Sequence, residues 1–376
     1  MIHRKLEGSI AESLKNSPRI VILYGPRQVG KTTLMRKIIP ELGYKTLEIN
    51  ADQIKYRDVL SSRDLDQLRG LVTNYELLFI DEAQNVPDIG MNLKILHDHI
   101  PNLKIAVTGS SALELANLTK ESLTGRTRTF KLYPISVEEL ATQWNTFQIN
   151  SKLEELMLFG SYPEVIKLEN RKEKIELLEE ICSSYLYKDV LQLSGIRHSS
   201  KIHKLLSLLA LQCGSLVSIQ EIGKSLGLSH DTVNSYIDLL EKGFILYRLS
   251  GYSRNLRKEV NKMNKIYFYD NGIRNALTHS FNPLELRQDT GSLWENFLIS
   301  ERIKFKEYNR IHGQHYFWRS YSGAELDYVE ESDGQLSGFE IKWRKTKARP
   351  IASWLQSYEN SSFKLINREN FLEFIT

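Results

Sequence analysis

The residues best suited to chemistry lie in Gly25–Thr32, where Gly-Pro-Arg-Gln-Val-Gly-Lys-Thr matches the phosphate-binding pattern GxxxxGK[ST] in full. The two glycines allow the backbone to fold tightly round a phosphate, with N–H groups pointing inward. We expect Lys31 to reach the β- and γ-phosphates and Thr32 to hold Mg²⁺ through its hydroxyl. The residues predicted to bind nucleotide are Gly25, Pro26, Arg27, Gln28, Val29, Gly30, Lys31, Thr32 and Thr33.

A second candidate for nucleotide chemistry is the apolar run Leu77–Ile80, which ends in Asp81 and Glu82. An Asp at the tip of a strand is placed to coordinate Mg²⁺, directly or through water. The Glu beside it is placed to orient and deprotonate an attacking water. Such a run often marks only a solvated strand end, but beside the phosphate-binding motif it predicts nucleotide hydrolysis.

Two further positions are suited to phosphoryl transfer. Ser110, which follows another apolar run, is placed to reach the γ-phosphate or the attacking water, with an ordinary Gly-Ser turn as the alternative. Arg126 is our candidate for an arginine that a neighbouring subunit supplies to stabilise charge on the γ-phosphate, with Arg128 in reserve. The alternative for both arginines is a position at the surface or the sheet edge. The catalytic residues are therefore predicted to be Lys31, Glu82, Ser110 and Arg126.

A third group of chemically suited residues lies near the C-terminus. Glu295 falls in a predicted helix, Asp327 in a predicted strand, and Glu340 and Lys342 in the next strand. Residues i and i+2 of a strand share a face, so Glu340 and Lys342 project together and Asp327 can join them. Paired carboxylates suit Mg²⁺, and the set resembles the core of restriction-endonuclease-type enzymes. The alternative is a buried ion-pair set in a domain that binds without cutting.

The elements that must position the nucleotide site follow a regular order. Short apolar runs at Ile20–Tyr24, Thr46–Asn50, Leu77–Asp81, Ile105–Thr108 and Thr129–Leu132 alternate with helical patterns, which predicts a parallel α/β sheet. We expect a P-loop NTPase sheet over residues 1–136, a helical region over 137–213, a winged helix-turn-helix over 214–277 and a restriction-endonuclease-like α/β domain over 278–376.

Residues 214–277 have the order helix, turn, helix and two strands that is typical of a winged helix. In the second helix, His230–Lys242, the residues Asn234 and His230 are placed to meet an adenine and a phosphate. The hairpin that follows carries a net charge of +4 over 254–265, which suits phosphate contacts. A solvated hairpin or a protein-binding module is the alternative. The possible DNA contacts are His230, Asn234, Arg254, Arg257, Lys258, Lys262 and Lys265.

Several of these segments resemble the AAA+-type branch of P-loop ATPases, and more closely a bacterial and archaeal family that joins such an ATPase to a C-terminal domain of unknown function. The segments that carry the resemblance are 23–34, 79–84, 108–111, 123–126, 132–136, 266–275 and 291–297. The resemblance covers nearly the whole chain. It implies ATP as the nucleotide, an ATPase activity, a winged helix and a nuclease-like tail.

Composition excludes several classes of protein. The 376 residues are 41% hydrophobic and 26% charged, which excludes a largely disordered or fibrous chain. The net charge of +4 is too small to indicate nucleic-acid binding, so any basic footprint must be local. Two cysteines and the lack of a signal peptide or a membrane-length apolar run predict a cytoplasmic protein that does not enter a membrane.

Three functions are consistent with these residues. The first is a Mg²⁺-dependent AAA+-type ATP hydrolase that acts on duplex or branched DNA as a homo-oligomer. The second is a nucleotide-dependent signalling or defence switch whose C-terminal domains bind protein partners, although an intact Glu82 favours hydrolysis. The third is an ATP-gated DNA nuclease that depends on Glu295, Asp327, Glu340 and Lys342.

Overall fold

A computed structural model describes residues 2–110, 123–186, 199–253, 264–320, 322–344, 347 and 350–376. The chain forms two compact units. The first is built on Met1–Pro134, and the second mainly on Ile135–Lys188, Ile196–Glu241 and Ile245–Thr376. Within the described ranges, no helix combines the length and the apolar character needed to cross a bilayer.

The first unit alternates helices with strands, as its sequence pattern predicts. Its helices are α1 (Glu7–Asn16), α2 (Lys31–Leu42), α3 (Ile54–Leu60), α4 (Leu65–Val72) and α5 (Ile89–His99). Its strands are β1 (Ile20–Tyr24), β2 (Thr46–Asn50), β3 (Leu77–Asp81), β4 (Lys104–Gly109) and β5 (Thr127–Lys131). The bounds of β1, β2 and β3 are those predicted, and continuous apolar runs define β1 and β3, whereas β5 begins two residues earlier than predicted.

These strands form one parallel sheet in the order β2–β3–β4–β1–β5. Every residue of β3 is buried and β1 is buried except at Tyr24, as expected for strands that helices cover on both faces. Because the strands are parallel, the residues that follow β1, β3 and β4 emerge at one edge of the sheet. This edge brings together the phosphate-binding motif, Asp81 and Ser110.

The described part of residues 137–213 in the second unit is helical. Its helices are α6 (Val137–Leu140), α7 (Thr146–Phe159), α8 (Pro163–Lys167), α9 (Arg171–Glu180) and α10 (Ser199–Leu211), and a π-helical turn at Ile181–Leu186 extends α9. Short polar motifs fix the helix starts: Ser136 and Glu139 form a capping box at α6, and Asn145 and Gln148 form one at α7.

Residues 214–277 contain α11 (Ile219–Leu226), α12 (His230–Lys242) and α13 (Asn271–Leu277). Ser229 caps α12, since its Oγ accepts a hydrogen bond from Thr232 N at 3.1 Å. The predicted apolar stripe of α12 is buried at Val233, Ile237 and Leu240. The strands β6 (Leu216–Val217), β7 (Leu246–Leu249) and β8 (Asn264–Phe268) form an antiparallel sheet, in which the two-residue β6 was not predicted.

The last part of the chain contains α14 (Thr290–Tyr308), β9 (Gln314–Arg319), β10 (Glu325–Ser332), β11 (Gln335–Ile341), α15 (Ala352–Ser357), β12 (Ser361–Ile366) and α16 (Phe371–Ile375). The sheet order is β12–β11–β10–β9. The β10–β11 turn lies at Asp333-Gly334, as the Asp-Gly signal predicts. The pair β11–β12 is parallel, so residues that follow these two strands emerge at one edge.

Candidate functional site

The phosphate-binding motif forms the turn between β1 and α2. Gly30 has a φ of +94° and caps α2, a conformation that suits glycine. A Cβ on Gly25 would lie 2.0 Å from the carbonyl oxygen of Leu132, so the loop packs closely against the residue after β5. Lys31 is 5% exposed, and its Nζ donates to the carbonyl oxygens of Gly25 at 2.8 Å and Pro26 at 2.7 Å. The lysine is thus held over the loop in which a phosphate is predicted to bind.

The rest of the motif lies partly exposed and includes one strained residue. Val29 is buried, Arg27 and Gln28 are half-buried, and Thr33 is exposed. Gln28 adopts a φ of +61°, and its Oε1 is buried without a hydrogen-bond partner among the described residues. Strain and an orphaned polar atom at one position are features that binding sites commonly carry.

Arg4 supports this loop from outside the motif, and sequence analysis did not identify it. Its side chain is 7% exposed, and it donates to the carbonyl oxygens of Val29 at 2.7 Å and Tyr133 at 2.6 Å. The guanidinium therefore ties the phosphate-binding loop to the residues after β5. The only sequence signal is an arginine shortly before α1, which by itself indicates nothing about a loop 25 residues away.

Asp81 and Thr32 lie together, as a shared Mg²⁺ site requires. Thr32 Oγ1 is 3.0 Å from Asp81 Oδ1 and 2.9 Å from Oδ2, and Thr108 Oγ1 also donates to Asp81 Oδ1. Asp81 is 6% exposed and has no ion-pair partner in the part of the chain that the structure describes. A buried carboxylate held only by hydroxyls is a good environment for a cation, so the donor set fits Mg²⁺.

Glu82 lies at the same edge, directly after β3, with a φ of +55°. Its backbone N donates to Thr108 Oγ1 at 3.2 Å. Gln84 Nε2 donates both to Glu82 Oε2 and, at 3.1 Å, to Ser110 Oγ. The amide thus links the predicted base to the predicted polar residue after β4. Gln84 belongs to the family-like segment 79–84, but its residue type alone predicts no role.

Arg126, the arginine predicted to act on a neighbouring subunit, forms an ion pair within its own chain. Arg126 Nε and Nη2 donate to the two carboxylate oxygens of Asp98 at 2.7 and 2.9 Å. These hydrogen bonds, with one from His97, lower the pKa of Asp98 to about 2. Arg128 instead lies over the Phe130 ring, with Cζ 5.6 Å from the centroid. Both arginines are therefore in contact with residues of the same unit.

The C-terminal residues also come together. Asp327 Oδ2 accepts from Lys342 Nζ at 3.0 Å and from Ile341 N at 2.8 Å. Glu340 Oε1 is 3.9 Å from the same ammonium. Burial opposes protonation of Lys342, but the neighbouring Asp327 raises its pKa. The lysine therefore bridges the two carboxylates that were predicted to share its face.

Glu295 joins this set through residues that sequence analysis did not place there. Its Oε1 accepts from Tyr267 Oη at 2.5 Å and lies 3.4 Å from Lys265 Nζ. Burial and, after it, the charge of Asp327 raise the pKa of Glu295, whereas Lys265, Tyr267 and Lys342 lower it, and the net pKa is about 7. Glu295 therefore changes charge near neutral pH, although most carboxyls are ionised there.

Lys265 requires a correction. We predicted it as an exposed DNA contact in the basic hairpin, but its side chain is 2% exposed and lies in β8. Its Nζ is 2.5 Å from Glu325 Oε1, and it also faces Glu295. The alternation of β8 turns this lysine inward, where two carboxylates balance its charge. Lys265 is therefore part of the C-terminal cluster.

The carboxylates of this C-terminal cluster are paired with lysines. In the described ranges, no group of three or more His, Cys, Asp or Glu side chains is arranged to hold a metal ion. Two lysines stand between the carboxylates instead, with Lys342 at Asp327 and Lys265 at Glu295. The nuclease interpretation of these residues stays a prediction.

The remaining DNA-contact candidates divide into two groups. His230 and Asn234 are on α12, and Asn234 Nδ2 lies 3.2 Å from His230 Nδ1, so the two side chains share an exposed face. Arg254, Arg257, Lys258 and Lys262 lie outside the described residues.

Comparison with known families assigns three segments of the chain. Residues 17–141 match an AAA domain, residues 150–285 match a domain of unknown function (DUF8612), and residues 290–368 match a domain of unknown function (DUF4143). The matched AAA segment includes the phosphate-binding loop, Asp81, Glu82 and Arg126.

Curated relatives extend over most of the chain. The uncharacterized protein Rv2008c of Mycobacterium tuberculosis is 28% identical over 349 residues, which cover 91% of this chain and 74% of the relative. The uncharacterized protein MJ1544 of Methanocaldococcus jannaschii is 23% identical over 335 residues, which cover 83% of this chain and 72% of the relative.

Similar solved structures include a Walker-type ATPase of Pyrococcus abyssi, at 18% identity and a TM-score of 0.49, with 74% of this chain and 96% of that chain covered. They also include the RuvB Holliday junction branch migration motor of Thermotoga maritima, at 18% identity and a TM-score of 0.32. That match covers 65% of this chain and 87% of the RuvB chain. On the family matches, residues 17–141 of this chain are similar to an AAA domain, and residues 290–368 are similar to the DUF4143 domain.

Proposed function

We propose that this protein is a Mg²⁺-dependent ATP hydrolase that works on DNA as a homo-oligomer. The observation that carries the proposal is the joint placement of Thr32 and Asp81 at the end of the phosphate-binding loop, with their side chains 2.9–3.0 Å apart. A threonine and an aspartate in this arrangement form the metal-binding half of a P-loop site.

Each predicted residue then has one role. Lys31 Nζ releases its hydrogen bonds to the carbonyl oxygens of Gly25 and Pro26 and contacts the β- and γ-phosphates instead. Thr32 and Asp81 hold Mg²⁺, which neutralises charge on the phosphate oxygens. Glu82 orients the attacking water and accepts its proton, and Ser110 lies within reach of the same region through Gln84.

Arg126 completes the site from a neighbouring subunit in this proposal. To do so, it must exchange Asp98 for the γ-phosphate of the adjacent chain. Both partners of the exchange are anionic oxygens that suit a guanidinium, so the arginine keeps charge-assisted hydrogen bonds in either state. Hydrolysis would consequently depend on assembly.

Support for DNA as the partner comes from residues 214–277. The α12 helix presents His230 and Asn234 at the surface, and the hairpin sequence after β7 is strongly basic. A helix that is followed in the sequence by a basic strip is a common DNA-binding pattern. With Lys265 removed from that strip, four of the predicted basic contacts remain: Arg254, Arg257, Lys258 and Lys262.

The test is ATP turnover with and without duplex and branched DNA. Lys31→Ala supplies the blank, and Lys45→Ala supplies a matched control, because Lys45 is exposed at the opposite edge of the parallel sheet. We expect DNA to stimulate the wild type and Lys45→Ala alike, with no turnover in Lys31→Ala. Stimulation that persists in Lys31→Ala would contradict the proposal.

A nucleotide-dependent switch is the second candidate, and the Gln84–Glu82 hydrogen bond favours it. The amide occupies Glu82 Oε2, which a general base needs for the attacking water. Slow turnover that is indifferent to DNA would support this switch, in which the nucleotide state controls protein contacts.

A further inference from the structure

A cavity of about 340 Å³ lies at the carboxyl ends of the parallel strands β11 and β12. Trp343 and Arg344 follow β11, whereas Arg368 follows β12, and all three line the cavity. Its volume falls in the range of small-molecule sites. Crevices outside the carboxyl ends of parallel strands are where open α/β sheets commonly bind ligands.

A cation–aromatic pair forms one wall of the cavity. The guanidinium carbon of Arg368 lies 4.4 Å from the centroid of the Trp343 ring. Trp294, which is fully buried, packs edge-on against Trp343 with centroids 5.1 Å apart and an interplanar angle of 68°. This contact fixes the indole, and the Arg368 guanidinium over it adds a cationic surface on which a planar ring can stack.

Local hydrogen bonds also fix the turn that carries Arg368. Asn367 N donates to Asn370 Oδ1 at 2.9 Å, and Glu369 N donates to Asn367 Oδ1 at 2.8 Å. Leu284 is 4% exposed and provides an apolar wall to the same cavity. The site is therefore largely preformed, which lowers the entropic cost of binding.

Hydrogen-bond acceptors line the remaining wall. The side chains of Glu154, Glu285 and Glu369 border the cavity, and none of these carboxylates has a hydrogen-bond or ion-pair partner within the described ranges. Three carboxylates repel an anionic group inside the cavity but accept hydrogen bonds from amino groups. Carboxylates are the acceptors that proteins use for the exocyclic amine of cytosine.

We propose that this cavity binds a nucleobase that bears an exocyclic amino group, stacked on the Trp343–Arg368 pair and hydrogen-bonded to the carboxylate wall. The flanking phosphate lies outside, at the exposed Arg344. The base belongs either to a single strand or to a free nucleotide, and adenine, cytosine and guanine are favoured over thymine. This site is separate from the ATP site, and the proposal does not depend on hydrolysis.

The experiment measures binding of short fluorescent oligo(dA), oligo(dC) and oligo(dT) by anisotropy. It uses the full chain with Lys31→Ala and no ATP, so that the phosphate-binding loop does not contribute. We expect oligo(dA) and oligo(dC) to bind several-fold more tightly than oligo(dT). Competition by free AMP would identify the free nucleotide as the natural source, whereas indifference to AMP would identify a strand.

Three variants in that background locate the site. Trp343→Ala should weaken oligo(dA) binding by about tenfold or more, the range for loss of one stacked base, and Trp343→Phe should restore part of it. Arg368→Ala should weaken binding more than Arg69→Ala, which removes an exposed arginine of the first unit. Glu285→Gln should reduce the preference over oligo(dT). Equal affinity for all three oligonucleotides would overturn the proposal. Wild-type affinity in all three of Trp343→Ala, Trp343→Phe and Arg368→Ala would also overturn it.

Discussion

Thr32 Oγ1 lies within hydrogen-bond distance of both carboxylate oxygens of Asp81, although the two residues are 49 positions apart. The hydroxyl is at the start of α2 and the carboxylate is at the end of β3, so the parallel sheet alone brings them together. This contact makes the phosphate-binding loop and the acidic strand end one site.

Asp81→Asn should therefore abolish Mg²⁺-dependent turnover. The amide keeps the shape but loses the charge that balances a divalent cation, so we expect turnover to fall about 100-fold or more. Steady-state ATP hydrolysis over a Mg²⁺ titration measures the effect. Asp66→Asn is the control, because Asp66 is 93% exposed on α4. Full turnover in Asp81→Asn at saturating Mg²⁺ would remove Asp81 from the metal site.

Arg126 offers a test of assembly through its pairing with Asp98. If Arg126 acts on the neighbouring site, Arg126→Ala should lower turnover by roughly 1,000-fold, whereas Asp98→Asn should not lower it, because it releases the arginine. Mixing Arg126→Ala with Lys31→Ala should restore activity, since each chain supplies what the other lacks. Equal losses in Arg126→Ala and Asp98→Asn, with no rescue on mixing, would indicate a structural ion pair.

Glu295 predicts a pH dependence of stability. Its pKa is about 7 in the folded chain against an ordinary value of 4.5, so the folded chain binds the extra proton. The resulting stabilisation is complete below about pH 4.5 and is lost as the pH rises through about 7.

Glu295→Gln removes this titration. As the pH rises from 4.5 to 7, the free energy of unfolding of the variant should increase relative to that of the wild type by an amount on the order of 1–3 kcal/mol. Above that range the difference between the two proteins should stay constant. Denaturant unfolding at several pH values measures the difference, and the exposed Glu359→Gln should show none of it. A constant difference between Glu295→Gln and the wild type across this range would contradict the assigned pKa.

Arg4 predicts a link between the N-terminal segment and nucleotide affinity. Arg4→Ala leaves two carbonyl oxygens, those of Val29 and Tyr133, without their buried donor. We expect a loss of about 2–4 kcal/mol in the free energy of unfolding and weaker binding of a fluorescent ATP analogue. Arg69→Ala is the matched control. Unchanged affinity and stability would show that the loop holds its shape without Arg4.

The parts that sequence analysis predicted are those with local signals. Continuous apolar runs predicted β1 and β3, the Asp-Gly pair predicted the β10–β11 turn, and the strand period placed Glu340 beside Lys342. The phosphate-binding loop, Asp81 and Glu82 follow from motifs whose position after a strand is part of the pattern.

What sequence analysis missed depends on contacts between distant segments. Arg4 meets Tyr133 across 129 positions, and Lys265 meets Glu295 across 30. The +4 hairpin charge suggested an exposed Lys265, but the pleat of β8 turns it toward Glu295 and Glu325. No local pattern gives the direction of a single lysine in a short strand, because burial there depends on which carboxylates the fold brings to it.

The most direct test of the central claim is Glu82→Gln, studied for both ATP binding and ATP turnover. The account predicts that ATP affinity stays within about threefold of the wild type, because Lys31 and Thr32 are intact, while DNA-stimulated turnover falls about 100-fold or more, the range for loss of a general base. Wild-type turnover in Glu82→Gln would contradict hydrolysis at this site. A parallel loss of ATP binding would show that Glu82 supports the nucleotide rather than the chemistry.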